Sequence, residues 1–232
     1  MIGSKREGLA INGKNTETRS PGILYQDAHI IACVKAVGTD SQCALPSVLS
    51  SQLGREVFCV HRLDRSVGGV MVYARTKTSA AALSKAISDG KLDKRYLAVC
   101  AGRPEADAGE MRDLLFHDAS KNKTYIVKRE RKGVREAVLD YRVRSFNEEC
   151  SLVEVHLQTG RSHQIRVQFA SRGMPLLGDV KYGSKIRSGN IALWSHVLAF
   201  PHPASGEMLR LVVPPPVSEP WTRFDVGGDS DS

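Results

Sequence analysis

Apolar positions along this chain fall into short runs and strict alternations. Ile30-Ile31-Ala32-Cys33-Val34 and Val70-Met71-Val72-Tyr73-Ala74 are compact apolar segments rich in β-branched residues and read as strands. Val153, Val155 and Leu157 alternate with Glu154 and His156, the period of a strand with one face in a core. Leu209, Leu211 and Val213 alternate before Pro214-Pro215-Pro216, three residues that cannot donate ladder bonds, so a last strand is expected to stop there. Two stretches carry a helical period instead. Thr78-Ser79 is positioned to cap a helix whose Ala82, Leu83, Ala86 and Ile87 share a face and whose stop is Gly90. Arg161 to Arg172 reads as a second helix, with Ile165 and Phe169 one turn apart and Gly173 beyond its end. Strands joined partly by short turns predict a mixed or largely antiparallel sheet.

Composition adds limits to this picture. The chain has 232 residues, 41% of them hydrophobic, which is enough for a substantial core, and no internal repeat or low-complexity linker divides it. A single folded unit over residues 22–224 is expected, between polar tails at 1–21 and 225–232. Five cysteines, odd in number and without a Cys-x-x-Cys pair, point to a reducing cytoplasm rather than a disulfide framework. No run approaches the roughly 20 apolar residues of a membrane span, and no apolar stretch at the N-terminus resembles a secretory signal. The net charge of +8 favours a polyanionic partner, nucleic acid first among them.

Three segments concentrate polar chemistry. Val60 to Gly69 places Asp64 beside Arg62 and Arg65, just before a strand; read locally, an exposed ion pair is the more ordinary account of that carboxylate and a reactive site the alternative. Thr159 to Arg166 packs donors into the expected helix start, where a bound anion and an ordinary capped terminus are equally consistent. Lys121 to Arg135 holds Lys121, Lys123, Lys128, Arg129, Arg131, Lys132 and Arg135 against the single acid Glu130, a hairpin or loop suited to a phosphate backbone, or else a solvated charged face. His61, His163, His196 and His202 lack the spacing of metal ligands, so no metal is expected. Ser162, His163 and Asp179 have the residue types of a hydrolytic triad without its nucleophile elbow.

Taken in order, these segments resemble the RluA-type family of RNA pseudouridine synthases. Ile23 to Asp27 with Lys35 is similar to its opening strand pair, His61-Arg62-Leu63-Asp64 to its catalytic signature, and Lys94-Arg95-Tyr96 to its Lys-x-Tyr motif. Gly160 to Val167 with Leu177-Gly178-Asp179 and Tyr182-Gly183 resembles its most specific block, and Phe200 to Pro203 with Gly206-Glu207 its closing motif. The resemblance spans about Ile23 to Pro216. It implies an α+β fold with a mixed, mainly antiparallel central sheet, flanking helices and a central catalytic cleft. It also implies a monomer that needs no cofactor and acts on uridines of ribosomal or transfer RNA. About 20 residues ahead of the folded part cannot supply the S4-type domain that some relatives carry.

By the same resemblance Asp64 is the catalytic carboxylate, either attacking ribose or base or removing a ribose proton, and Arg166 is its charge partner. Tyr96 stacks on the extracted base, Arg62 fills the space the base leaves, and Ile165 is an apolar wall. His61, Arg161 and His163 fall in matching blocks and are assigned to substrate binding. The chain departs from the family at Val67-Gly68, where Thr-Ser is usual, at Ala36 in place of Pro, and at Trp194 in place of a His. The first departure motivates a rival reading, an RNA-binding protein that keeps the fold without the catalysis. A hydrolase using His163 or His202 is a more distant one.

Overall fold

A computed structural model describes residues 21–186 and 189–226; the expected tails fall on residues 1–20 and 227–232, outside the described residues, apart from Pro21, Asp225 and Val226. The chain runs β1 (Gly22–Gln26), β2 (Ile30–Lys35), α1 (Ala44–Leu53), β3 (Phe58–Cys59), β4 (Gly68–Ala74), α2 (Lys77–Ser88), β5 (Asp93–Ala101), β6 (Ala108–Asp118), β7 (Lys123–Val127), β8 (Val134–Phe146), β9 (Cys150–Leu157), α3 (Gln164–Ser171), β10 (Leu193–Pro201) and β11 (Met208–Val212). One sheet takes all these strands in the order β1-β2-β4-β10-β5-β9-β8-β6-β7, with β3 beside β4 and β11 beside β10. Every pairing is antiparallel except β4 with β10. The α+β class and the mainly antiparallel sheet therefore stand as expected.

Strand alternation sorts the core onto two faces. Tyr96, Ala98 and Cys100 of β5 and Val153, Val155 and Leu157 of β9 pack with Leu45 and Leu49 of α1 and Ile165 and Phe169 of α3. Leu97 and Val99 of β5 and Leu152 of β9 point the other way, towards Leu83 and Ala86 of α2. One face thus carries α1 and α3, the other α2.

Both expected helices exist with shifted starts. Thr76, two residues before the expected cap, takes the extended N-cap conformation and its Oγ1 accepts from the Ser79 N–H at 3.0 Å. The second helix starts three residues late, at Gln164, because His163 adopts a left-handed conformation (φ 54°) and breaks the helical turn before it. The basic stretch Lys121 to Arg135 is neither a bare loop nor a simple hairpin: it contains the edge strand β7 and the turn that returns the chain to β8 on the far side of β6.

Candidate active site

Asp64 sits on the connection from β3 to β4, and that connection is held from both sides. His61 extends the ladder with its side chain: Nε2 accepts the Val72 N–H at 3.1 Å, where a backbone carbonyl would otherwise stand. Ser41 Oγ donates to the Leu63 carbonyl at 2.8 Å, and the Val67 N–H donates to the Asp64 carbonyl at 2.9 Å, closing a turn around the carboxylate. Beneath it lies Lys35, 0% exposed, whose ammonium donates to the carbonyls of Ala36, Thr39 and Arg65 at 3.1, 2.8 and 3.3 Å. Three donors meet three carbonyls, so the buried charge is satisfied while the loop is clamped to the end of β2. Burial pushes the Lys35 pKa down to about 8, with the Asp64 charge opposing the shift.

α3 supplies the facing wall. Thr159 Oγ1 and the Arg161 N–H both donate to Gln164 Oε1, at 2.9 and 3.0 Å, so the donor-rich segment expected to receive an anion spends the Arg161 N–H on its own helix. The left-handed His163 turns its ring into the cleft. Backbone strain of this kind costs about 1–3 kcal/mol and persists where surrounding contacts hold it. Here Tyr182 holds it: Nδ1 lies 2.9 Å from the Tyr182 hydroxyl, which itself accepts the Thr124 N–H at 2.8 Å. On its other side the His163 ring places Nε2 3.6 Å from Asp64 Oδ2. Desolvation lowers both His163 and His61 to about 4, so both rings are neutral near pH 7.

Arg166 joins the two walls. Its Nε and Nη2 make a bidentate pair with Asp179 at 2.7 and 2.8 Å, and Nη1 reaches Asp64 Oδ2 at 3.2 Å. Asp179 is 1% exposed while the Asp64 side chain keeps 16% of its surface, so one carboxylate anchors the guanidinium and the other faces the cleft. Burial works against the Arg166 charge, but the Asp179 hydrogen bond and the two carboxylate charges outweigh it and raise its pKa further. The Tyr182 ring lies under the guanidinium, 5.0 Å from Cζ.

The Asp64 connection, Tyr96 of β5 and the start of α3 line one cleft of about 490 Å³, within the usual range for a small-ligand site. Asp64, Tyr96, Arg166, Arg62, Ile165, His61, Arg161 and His163, all expected from the sequence, border it together. Tyr96 projects from β5 as a buried ring, and burial together with the Asp64 charge raises its hydroxyl pKa, so it is a neutral surface at physiological pH. Arg62 is exposed at the mouth. Ser162, His163 and Asp179 do not form a relay, since Asp179 is engaged by Arg166 and the His163 ring by Tyr182. Among the described residues no group of three or more His, Cys, Asp and Glu side chains could hold a metal ion, and no helix is long and apolar enough to cross a membrane.

Sequence reasoning did not assign Lys35, Asp179 or Tyr182 a part in the site. Lys35 is the one buried lysine among the described residues, and its place at the end of an apolar strand was a signal available beforehand; Asp179 and Tyr182 fell in the most specific motif block, which did not reveal their partners. The expected phosphate contacts Lys121, Lys123, Lys128, Arg129, Arg131 and Lys132 lie outside the cleft, on β7 and the turns at its ends.

This fold recurs in two solved human proteins. RNA pseudouridylate synthase domain containing 1 superposes with a TM-score of 0.73 at 21% identity, over 84% of each chain, and RNA pseudouridylate synthase domain containing 4 with 0.70 at 25% identity, over 84% of this chain and 89% of that one. The class is therefore a pseudouridine synthase fold. The family described as RNA pseudouridylate synthase matches residues 5–171. An uncharacterised RNA pseudouridine synthase of Mycobacterium bovis is 32% identical, over 84% of this chain and 69% of that protein. Ribosomal large subunit pseudouridine synthase D of Xanthomonas campestris is 30% identical, over 84% of this chain and 66% of its own length. The chain belongs to the RNA pseudouridylate synthase family, enzymes that isomerise uridine within RNA.

Proposed function

We propose that the cleft converts a uridine of a structured RNA to pseudouridine with Asp64 as the reacting carboxylate, without a cofactor. The carrying observation is the 3.2 Å contact of Arg166 with Asp64 in a cleft that also holds Tyr96. The reaction breaks the bond from N1 of the base to the ribose and rejoins the two through C5, so nothing is oxidised and no group leaves the RNA except the C5 proton. A carboxylate can attack ribose or base, or take a ribose proton, and is regenerated at the end of either route. Arg166, fixed by Asp179, aims the carboxylate through its 3.2 Å contact.

The uridine must first leave its stack, at a cost of about a few kcal/mol. Tyr96 then stacks on the base, Ile165 forms the apolar wall, and Arg62 at the mouth fills the gap in the RNA. His61, Arg161 and His163 border the bound nucleotide. Lys121, Lys123, Lys128, Arg129, Arg131 and Lys132 contact phosphates outside the cleft, in keeping with a net charge of +8. Ribosomal RNA is the first substrate to try and transfer RNA the second. The enzyme acts in the cytoplasm, a reading supported by its free cysteines, and as a monomer, as the family resemblance implies.

The test is release of tritium from cellular RNA labelled at uridine C5. The parent protein is expected to release it and Asp64→Asn to release none while still binding RNA, because the charge is lost and the shape kept. Release by Asp64→Asn at the parent rate would end the assignment.

A further inference from the structure

The three strands β7, β6 and β8 have two faces with different fates. On the inner face Leu115, Ile126 and Ala137 pack against Val167 of α3. On the outer face Phe116 stands opposite Tyr125 on one side and Val134 on the other, and Leu114 stands opposite Val127. This face opens to solvent: Tyr125 is 37% exposed, Phe116, Leu114 and Val127 are half-buried, and a groove of about 420 Å³ runs past Leu114, Arg131 and Val134.

Its surroundings are cationic. Arg131 Cζ lies 4.8 Å from the centre of the Phe116 ring, and Lys123 Nζ lies 5.7 Å from that of Tyr125. Lys128, Arg129 and Lys132 are exposed on the turn between β7 and β8, with Glu130 the one acid among them. Glu136, also at the groove, is paired with Arg112 at 3.0 Å. An exposed Tyr125 ring and a half-buried Phe116 ring, each with a cation over it, match a nucleotide in both its parts, the exposed ring meeting the base and the cations the phosphate. Position agrees, since Lys123 Nζ lies 5.5 Å from the Tyr182 ring as well, and Tyr182 is bonded to His163 in the cleft.

We propose that an unpaired base of the RNA substrate stacks on Tyr125 beside Phe116, with Lys123 and the turn at residues 128–132 taking the flanking phosphates. That the ligand is RNA rests on the function proposed above. The platform reads single strands outside the reaction site, so the nucleotides neighbouring the target contribute to which uridine is presented.

Binding of a labelled oligouridine and of an RNA duplex of equal length, each over a series of salt concentrations, tests this. Tyr125→Ala is expected to weaken oligouridine binding roughly tenfold with the salt slope unchanged and duplex binding unaffected. Tyr125→Leu, apolar but without a π-face, should behave as Tyr125→Ala, and Tyr125→Phe should restore the parent affinity. Lys128→Ala should instead lower the salt slope by about one. Unchanged thermal unfolding midpoints will show that the exposed position leaves folding intact. Parent-like binding by Tyr125→Ala, equal losses for oligouridine and duplex, or no oligouridine binding by the parent protein would each overturn the platform. Tritium release by the parent reports separately on the catalytic reading, so either proposal can fail while the other stands.

Discussion

The indole of Trp194 occupies the space into which a side chain at Gly68 would project. A Cβ there would clash with the Cζ3 edge of the ring, lying 3.0 Å from Cε3 and 3.1 Å from the Lys35 carbonyl oxygen. The two residues face each other in the parallel pairing of β4 with β10, and Trp194 is pinned by its Nε1–H to the Val213 carbonyl at 3.0 Å. Two positions at which the sequence departs from the pattern it resembles, 68 and 194, therefore meet in one packing contact. The Asp64 turn survives it because main-chain groups and Lys35 hold that turn.

Gly68→Ser should destabilise the protein by about 1–3 kcal/mol through overpacking. The same change in a Trp194→His background should cost markedly less. Urea unfolding of the four proteins in a double-mutant cycle measures the coupling. Additive costs would mean that the two positions do not share the space.

Asp179 never faces the cleft, yet it carries two of the three bonds that orient Arg166. Asp179→Asn removes a buried charge from that pair, and the expected stability loss is about 3–5 kcal/mol. Turnover should fall by up to roughly hundredfold with KM little affected, because Arg166 loses its aim more than the cleft loses its shape. Single-turnover tritium release at permissive temperature separates the two effects. A parent-like turnover would leave Asp64 sufficient to position the arginine.

His61 and His163 predict an acid limb to stability. Both rings are depressed from 6.5 to about 4, so as pH falls the unfolded chain binds protons first. The contribution is complete above pH 6.5 and is lost progressively between about 6.5 and 4. The urea midpoint should therefore drop between pH 7 and pH 5. His163→Asn, which tolerates the left-handed backbone, should shrink that drop. A drop as large as the parent's would show that His163 does not titrate in this window.

Local order was legible in the sequence wherever burial imposed a simple period. Ile30 to Val34, Val70 to Ala74 and the Val153-Val155-Leu157 alternation became β2, β4 and β9, and both helices formed within a few residues of their expected starts. β8 was harder to see because charged residues sit along it among its apolar positions. The start of α3 was misplaced because His163 takes a left-handed conformation that tertiary contacts with Tyr182 sustain.

The sequence by itself determined the segments that became β2, β4, β9, β11, α2 and α3, the basic character of the Lys121 to Arg135 stretch and, through motif order, the residues of the cleft. Only the tertiary structure decided how those residues meet. Asp64 and Arg166 are 102 positions apart, and periodicity reports which face of an element is buried, never what lies across from it. For the same reason the buried Asp179, the clamp made by Lys35 and the exclusion of any side chain at Gly68 by Trp194 emerged only once β4, β10 and α3 were in place.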